Sequence, residues 1–327
     1  MRQSFAAAGL LLSLATAPPA AADPSVKELA ARTELHPIAT LTLTDAQFLT
    51  GDKNGKATTI AGELRLPQGA SGKLPAVVLM HGLGGAAARE EFWAKIFNDM
   101  GIAALVVDSF SGRGLTSVSA NQAALGRFNM ILDAYRAQAV LSAHPRIDRG
   151  RIALMGFSRG GQSALYASLK RFQQTWEPEV AFAAYIPLYA SCNPMLIGDT
   201  DVSPVPIRMF HGTADDYVPV APCRAYVERL SAAGRDVRLT EFAGAHHGYD
   251  NPLGSKTPTV ATNAQSVRAC TLKEEPLGTI INAATGQPFS YKDPCVELNP
   301  HTGYNEAAAQ ATQVAVRELL RTVFRLD

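Results

Sequence analysis

Three residue types that together can make a nucleophile occur in this 327-residue chain in a telling order. Ser158 lies in the run Gly156-Phe157-Ser158-Arg159-Gly160-Gly161, after an apolar strand-length stretch and before a helical one. A serine between glycines at such a junction reads either as a plain tight turn or as a nucleophile on a strained corner. In the second case a side chain at either glycine would collide with the neighbouring strand or helix. A serine hydroxyl attacks poorly without a base. His247, in FAGAHHGYD, supplies an imidazole, and Asp215, in HGTADDYVP, supplies a carboxylate to orient it. The order serine, acid, histidine puts each group on a loop after a different strand, where the three can converge on a carbonyl carbon. The oxyanion formed there needs hydrogen-bond donors. The glycine-rich turn His81-Gly82-Leu83-Gly84-Gly85 offers the backbone N–H of Leu83, and the residue after the serine offers that of Arg159.

Other polar residues compete for these roles. Asp216 stands beside Asp215 and reads as a solvated or helix-capping carboxylate, and His246 stands beside His247. His81 and His211 read as strand-end histidines that bond loop backbone. Arg113, in SFSGRG, suits either a contact to an anionic substrate group or a structural ion pair. His301, in NPHTGYN, reads as a loop residue. No His-Glu-x-x-His cluster occurs, and GLGGAA lacks the Lys-Ser/Thr ending of a phosphate loop, so neither metal nor cofactor is expected.

Elements that can position such a site alternate along the chain. Residues 75–80 and 102–108 are continuous apolar runs, as strands covered on both faces require. Residues 151–156, 182–189, 205–212 and 236–244 continue the strand series. Residues 39–48 and 59–67 alternate in polarity and read as an antiparallel pair at the edge. Helical spacing marks 92–100, 121–143, 158–172, 223–233 and 305–324. The alternation implies an α/β architecture: a mostly parallel sheet with helices on both faces and the chemistry at the carboxyl ends of its strands. Residues 251–304, rich in Pro, Gly, Thr and Asn, read as an insertion into a single domain.

The first 22 residues stand apart from this pattern. Arg2, the apolar FAAAGLLLSLA, and Ala20 and Ala22 read as a signal peptide cleaved after Ala22, too short to span a bilayer. The mature chain is then expected in the periplasm or outside the cell. A formal charge of +1 with no Lys/Arg run argues against nucleic acid as a partner. In an oxidising compartment Cys192, Cys223, Cys270 and Cys295 are expected to form disulfides, with three pairings open.

MHGLGG, VDSFSGRG, RIALMGFSRGG, HGTADDYVP and GAHHGYDNP appear in an order that resembles the dienelactone hydrolase family of the α/β-hydrolase superfamily. The resemblance covers about residues 55–255 and the final helix. It implies the α/β-hydrolase fold, Ser158 as nucleophile, Asp215 as acid and His247 as base. The best-known dienelactone hydrolases carry cysteine where this chain has Ser158, so the resemblance implies hydrolysis of small carboxylic esters and not of dienelactone itself. Exported relatives with Pro-Cys after the acid loop, here Pro222-Cys223, imply a Cys192–Cys223 bridge, which leaves Cys270 with Cys295. Two other readings are a serine peptidase with the same machinery and a non-catalytic binding protein of the same fold. The chain lacks room for a peptide-selecting domain, and a binding module has no need of all three site residues.

Overall fold

The seven residues of Leu74–Met80 are apolar or proline and all are buried. Alternate side chains point to opposite faces of a strand, and here both faces are covered. Ala76, Val78 and Met80 join one hydrophobic cluster, while Val77 and Leu79 join the other. This strand lies inside a sheet with helices on both sides. The computed structural model describes residues 32–69, 72–178 and 181–326. The expected signal peptide lies outside the described residues.

In chain order the elements are β1 (Arg32–Thr42), α1 (Asp45–Thr50), β2 (Lys56–Leu66), β3 (Leu74–Met80), α2 (Ala88–Asp99), β4 (Ala103–Asp108), α3 (Asn129–Ala143), β5 (Ile147–Phe157) and α4 (Arg159–Tyr166). There follow α5 (Lys170–Trp176), β6 (Tyr185–Leu188), β7 (Pro194–Met195), β8 (Ile207–Gly212), α6 (Ala221–Ala232) and β9 (Val237–Phe242). The segment beyond β9 carries β10 (Thr259–Val260), β11 (Gln265–Ser266), β12 (Leu272–Glu275), β13 (Thr279–Asn282), β14 (Gln287–Pro288), β15 (Glu297–Leu298) and β16 (His301–Thr302), before α7 (Glu306–Phe324).

The main sheet has eight strands in the order β1-β2-β4-β3-β5-β6-β8-β9. The expected edge pair is present: β1 and β2 are antiparallel, and β2 is also antiparallel to β4. From β4 to β9 every pairing is parallel. On one face α2 and α7 pack through Trp93, Phe97, Val316, Leu320 and Phe324. On the other, α3 to α6 pack through Met130, Tyr135, Leu165, Phe172, Tyr226 and Leu230.

Three elements differ from the sequence reading. The alternating run expected over 39–48 ends as a strand at Thr42, because Thr44 caps α1. Gln47 N–H donates to Thr44 Oγ1 at 3.1 Å, and Gln47 Oε1 accepts from Thr44 N–H at 3.0 Å. The helix expected over 121–143 begins at Asn129, and residues 122–124 form a single 3-10 turn. The helix expected over 158–172 breaks between Tyr166 and Lys170. The Ala167 carbonyl is taken there by Tyr135 Oη at 2.8 Å and Gln173 Nε2 at 3.0 Å, so it is not available to a continuing helix.

Residues 251–304 are ordered by short pairings. β12 is parallel to β7 and antiparallel to β13, while β10 pairs with β16 and β11 with β15. Both expected disulfide pairings occur, Cys192–Cys223 and Cys270–Cys295.

Candidate active site

Strand β5 delivers the chain to Ser158, and α4 carries it away at once. Ser158 has φ 56° and ψ −115°, a conformation few non-glycine residues adopt. Such strain persists only where the surroundings over-determine it. Ser158 N–H donates to Leu188 O at 3.0 Å, and Ser158 O accepts from Gln162 N–H at 2.8 Å. The flanking glycines permit the approach. A Cβ on Gly156 would lie 2.1 Å from Gly160 O, and one on Gly160 would lie 2.1 Å from Met80 O. Neither position has room for a side chain, which is why the corner can be this tight.

The loops after β8 and β9 meet this corner. Ser158 Oγ lies 2.9 Å from His247 Nε2, and His247 Nδ1 lies 2.8 Å from Asp215 Oδ2. All three residues are buried. Asp215 Oδ1 accepts backbone N–H groups from Tyr217 at 3.0 Å and Val218 at 2.8 Å. Burial pushes the Asp215 carboxyl up. The His247 ring and hydrogen bonds from His211 and His247 outweigh that and hold it well below the usual carboxylate range. The imidazole is gripped between two rings, Tyr189 at 4.8 Å and Tyr217 at 4.7 Å between centroids.

Around the candidate oxyanion position, Arg159 is the first residue of α4, so its backbone N–H has no intrahelical acceptor. The Leu83 carbonyl is occupied by Val118 N–H at 2.9 Å and Ser117 Oγ at 3.1 Å. Leu83 and Ser158 line the same clefts.

The competing residues have other partners. Asp216, expected to be solvated or capping, is instead a bridge to the insertion: it accepts from His301 N–H at 2.8 Å, meets His301 Nδ1 at 2.8 Å and lies 3.2 Å from Arg268. His301 is therefore more than a loop residue. The ring of His246 lies 6.4 Å from that of His301, while the imidazole at Ser158 Oγ is that of His247. Arg113 forms a two-pronged ion pair with Asp133 at 2.7 and 2.9 Å, and bonds Leu41 O and Ser109 O. That is the structural alternative for Arg113. His81 bonds loop backbone as expected, at Gly82 O and Ser109 N. His211 bonds Val218 O at 2.7 Å but also lies 3.4 Å from Asp215 Oδ2, a contact its sequence position did not announce.

Two groups were missed from the sequence. Asp250, three residues after His247 on the same loop, accepts from Tyr189 Oη at 2.7 Å and Trp93 Nε1 at 2.8 Å. Arg89, ion-paired to Glu90 at 2.8 Å, stacks 4.6 Å from the ring of Phe157, the residue before the serine. The segment GYDNP and the run AREEF contain these residues, but nothing in their spacing links them.

Together the sheet order, the strained corner and the loops after β5, β8 and β9 define an α/β hydrolase. A model of the dienelactone hydrolase family matches residues 60–277, and the chain belongs to that family. Solved structures agree on the fold. A dienelactone hydrolase-like promiscuous phosphotriesterase from metagenomic libraries superposes with a TM-score of 0.57 at 18% identity, over 89% of this chain and 98% of that one. An α/β hydrolase from a Medee basin deep-sea metagenome library gives 0.51 at 18% identity, over 90% and 99%. A search of the curated proteins found no match.

Proposed function

We propose that this protein is an exported serine hydrolase that cleaves small carboxylic esters through an acyl-enzyme. The observation that carries this reading is the unbroken hydrogen-bonded chain from Ser158 Oγ through His247 to Asp215. Ser158 Oγ attacks the ester carbonyl as its proton passes to His247 Nε2. Asp215, ionised well into the acid range, fixes the imidazole orientation and stabilises the imidazolium. The backbone N–H groups of Leu83 and Arg159 hold the carbonyl oxygen as it gains charge. His247 then gives its proton to the departing alkoxide, which leaves as alcohol. Water repeats the sequence on the acyl-enzyme, losing its proton to His247, and releases the acid and free Ser158.

Export is supported by the leader-like first 22 residues and by two disulfides, which persist in oxidising compartments. Among the described residues no helix is long and apolar enough to cross a membrane.

The test is covalent labelling by a fluorophosphonate, mapped by peptide mass. The expected result is one adduct on Ser158 in the wild type and none in Ser158→Ala, which should also lose ester turnover while keeping its far-ultraviolet circular dichroism. A wild type that stays unlabelled, or an alanine variant with a tenth of wild-type turnover, refutes the reading.

A further inference from the structure

Beside Ser158 lies a pocket with about 530 Å³ of empty space, counting its open mouth. Three arginines line it, and they differ in one respect. Arg127 is paired with Asp45 at 3.0 Å, and Arg268 with Asp216 and Glu297. Among the described residues Arg159 has no carboxylate partner, although it is 5% exposed. Its Nη2 donates to Leu125 O, while Nε and Nη1 meet no acceptor. Gln162, one helical turn along, lines the same pocket with its Nε2 unpartnered. Across the pocket Asn193 spends its amide nitrogen on Val267 O at 2.8 Å and Cys270 O at 3.2 Å. That fixes the amide orientation and leaves Oδ1 open.

Buried donors without acceptors are costly, and an unpaired buried cation more so. In the free enzyme these atoms are all but closed to solvent and have no partner. An alkyl chain entering the pocket would supply none of the missing hydrogen bonds. An acyl group with an oxygen of its own provides them. We propose that this pocket is an acyl subsite for acids carrying a second oxygen function, a hydroxyl or a carboxylate, recognised by the side chains of Arg159 and Gln162. Arg159 thus serves twice: its backbone N–H faces the reacting oxygen, and its side chain selects the acyl group. A guanidinium donates to either function, and Asn193 Oδ1 accepts from a hydroxyl. The inference rests on the proposed reading of Ser158 and deepens it.

The test compares kcat/KM for ethyl butyrate, ethyl β-hydroxybutyrate and monoethyl succinate. The wild type should favour one or both oxygenated esters over butyrate by about tenfold or more. Which of the two ranks first separates a hydroxyl from a charged ligand. In Arg159→Met, which keeps the backbone amide, the preference should fall towards one. In Gln162→Leu it should fall severalfold. Reading the ratio keeps the result independent of any general loss in either variant. Ethyl butyrate as the best of the three, or an unchanged ratio in both variants, overturns the subsite. Fluorophosphonate labelling of the same preparations separates the two failures. Labelled Ser158 with a butyrate preference removes the subsite alone, and absent labelling removes the hydrolase reading and the subsite with it.

Discussion

Tyr189 stands edge-on against His247, with ring centroids 4.8 Å apart and planes at 66°. Its hydroxyl is anchored by Asp250 at 2.7 Å, and its backbone sits at φ 36°. A bulky residue with positive φ, immediately after β6, is held there by its hydrogen bonds and by packing. The pair forms a brace: Asp250 lies on the histidine loop and grips the ring on which the histidine leans.

Removing the brace should cost catalysis more than binding. Tyr189→Phe keeps the ring but leaves one buried Asp250 oxygen without its donor, at about 1–3 kcal/mol. The expected outcome is kcat lowered about tenfold with KM nearly unchanged, because the hydroxyl is fully buried against Asp250. Steady-state kinetics with thermal unfolding checks this. A stability loss with kcat intact would make the brace purely structural.

His247 and His246 should behave very differently. His247→Ala removes the group within 2.9 Å of Ser158 Oγ, and turnover should fall by about a thousandfold or more. His246 faces His301, so His246→Ala should stay within about threefold. Initial rates on one activated ester decide the matter, and comparable losses in both variants would remove the assignment.

Acid stability should depend on Asp215. Its folded-state carboxyl is held well below the usual range, so in mild acid the unfolded chain binds a proton that the folded chain does not. The stabilisation is complete above the ordinary aspartate value of about 3.9 and is lost as pH falls from there through the folded value. Asp250 has the opposite sign. Burial raises it, against the pull of Arg89 and hydrogen bonds from Tyr189 and Trp93. Acidification through its window therefore favours the folded state. Urea midpoints measured below about pH 4 should fall steeply in the wild type, and Asp215→Asn should flatten that fall. An unchanged slope in the variant would show that Asp215 does not carry the acid loss.

Reducing Cys192–Cys223 should lower activity as well as stability. Ser191 and Asn193 flank Cys192 and line the pocket, as do Val218 and Pro219 just before the helix of Cys223. The bridge closes a 31-residue separation, worth roughly 3–4 kcal/mol on a chain-entropy account. Gentle reduction below the melting temperature, followed by kinetics, should show a drop in kcat/KM that reoxidation restores. Full activity with both thiols titrated would separate the bridge from the site.

The strands of the sheet core were legible because burial on both faces leaves uninterrupted apolar runs such as Val77–Met80. The trio was legible because each member ends a strand run with a recognisable turn. What could not be read depends on contacts between distant residues. The turn at 122–124 stays out of α3 while Gln122 is held by Gln265, 143 residues away, at 2.8 and 2.6 Å. Asp216 looked solvated because its partners, His301 and Arg268, lie in a segment without periodicity. The cap on α1 was present in the sequence as Thr44-x-x-Gln47, and the alternating polarity before it hid the signal.

The family model stops at residue 277, yet the histidine loop is supported from beyond that point. Thr302 bridges to His247, Gly303 N–H donates to His247 O at 3.1 Å, and Asn305 N–H donates to Tyr249 O at 2.9 Å. The chain therefore cannot be trimmed to its family core without releasing the residue that would act as base. Mutations scattered through 299–305 would register as catalytic defects although no side chain there touches Ser158. The detour through residues 299–305 is thus a backbone splint for the loop that places His247 against Ser158.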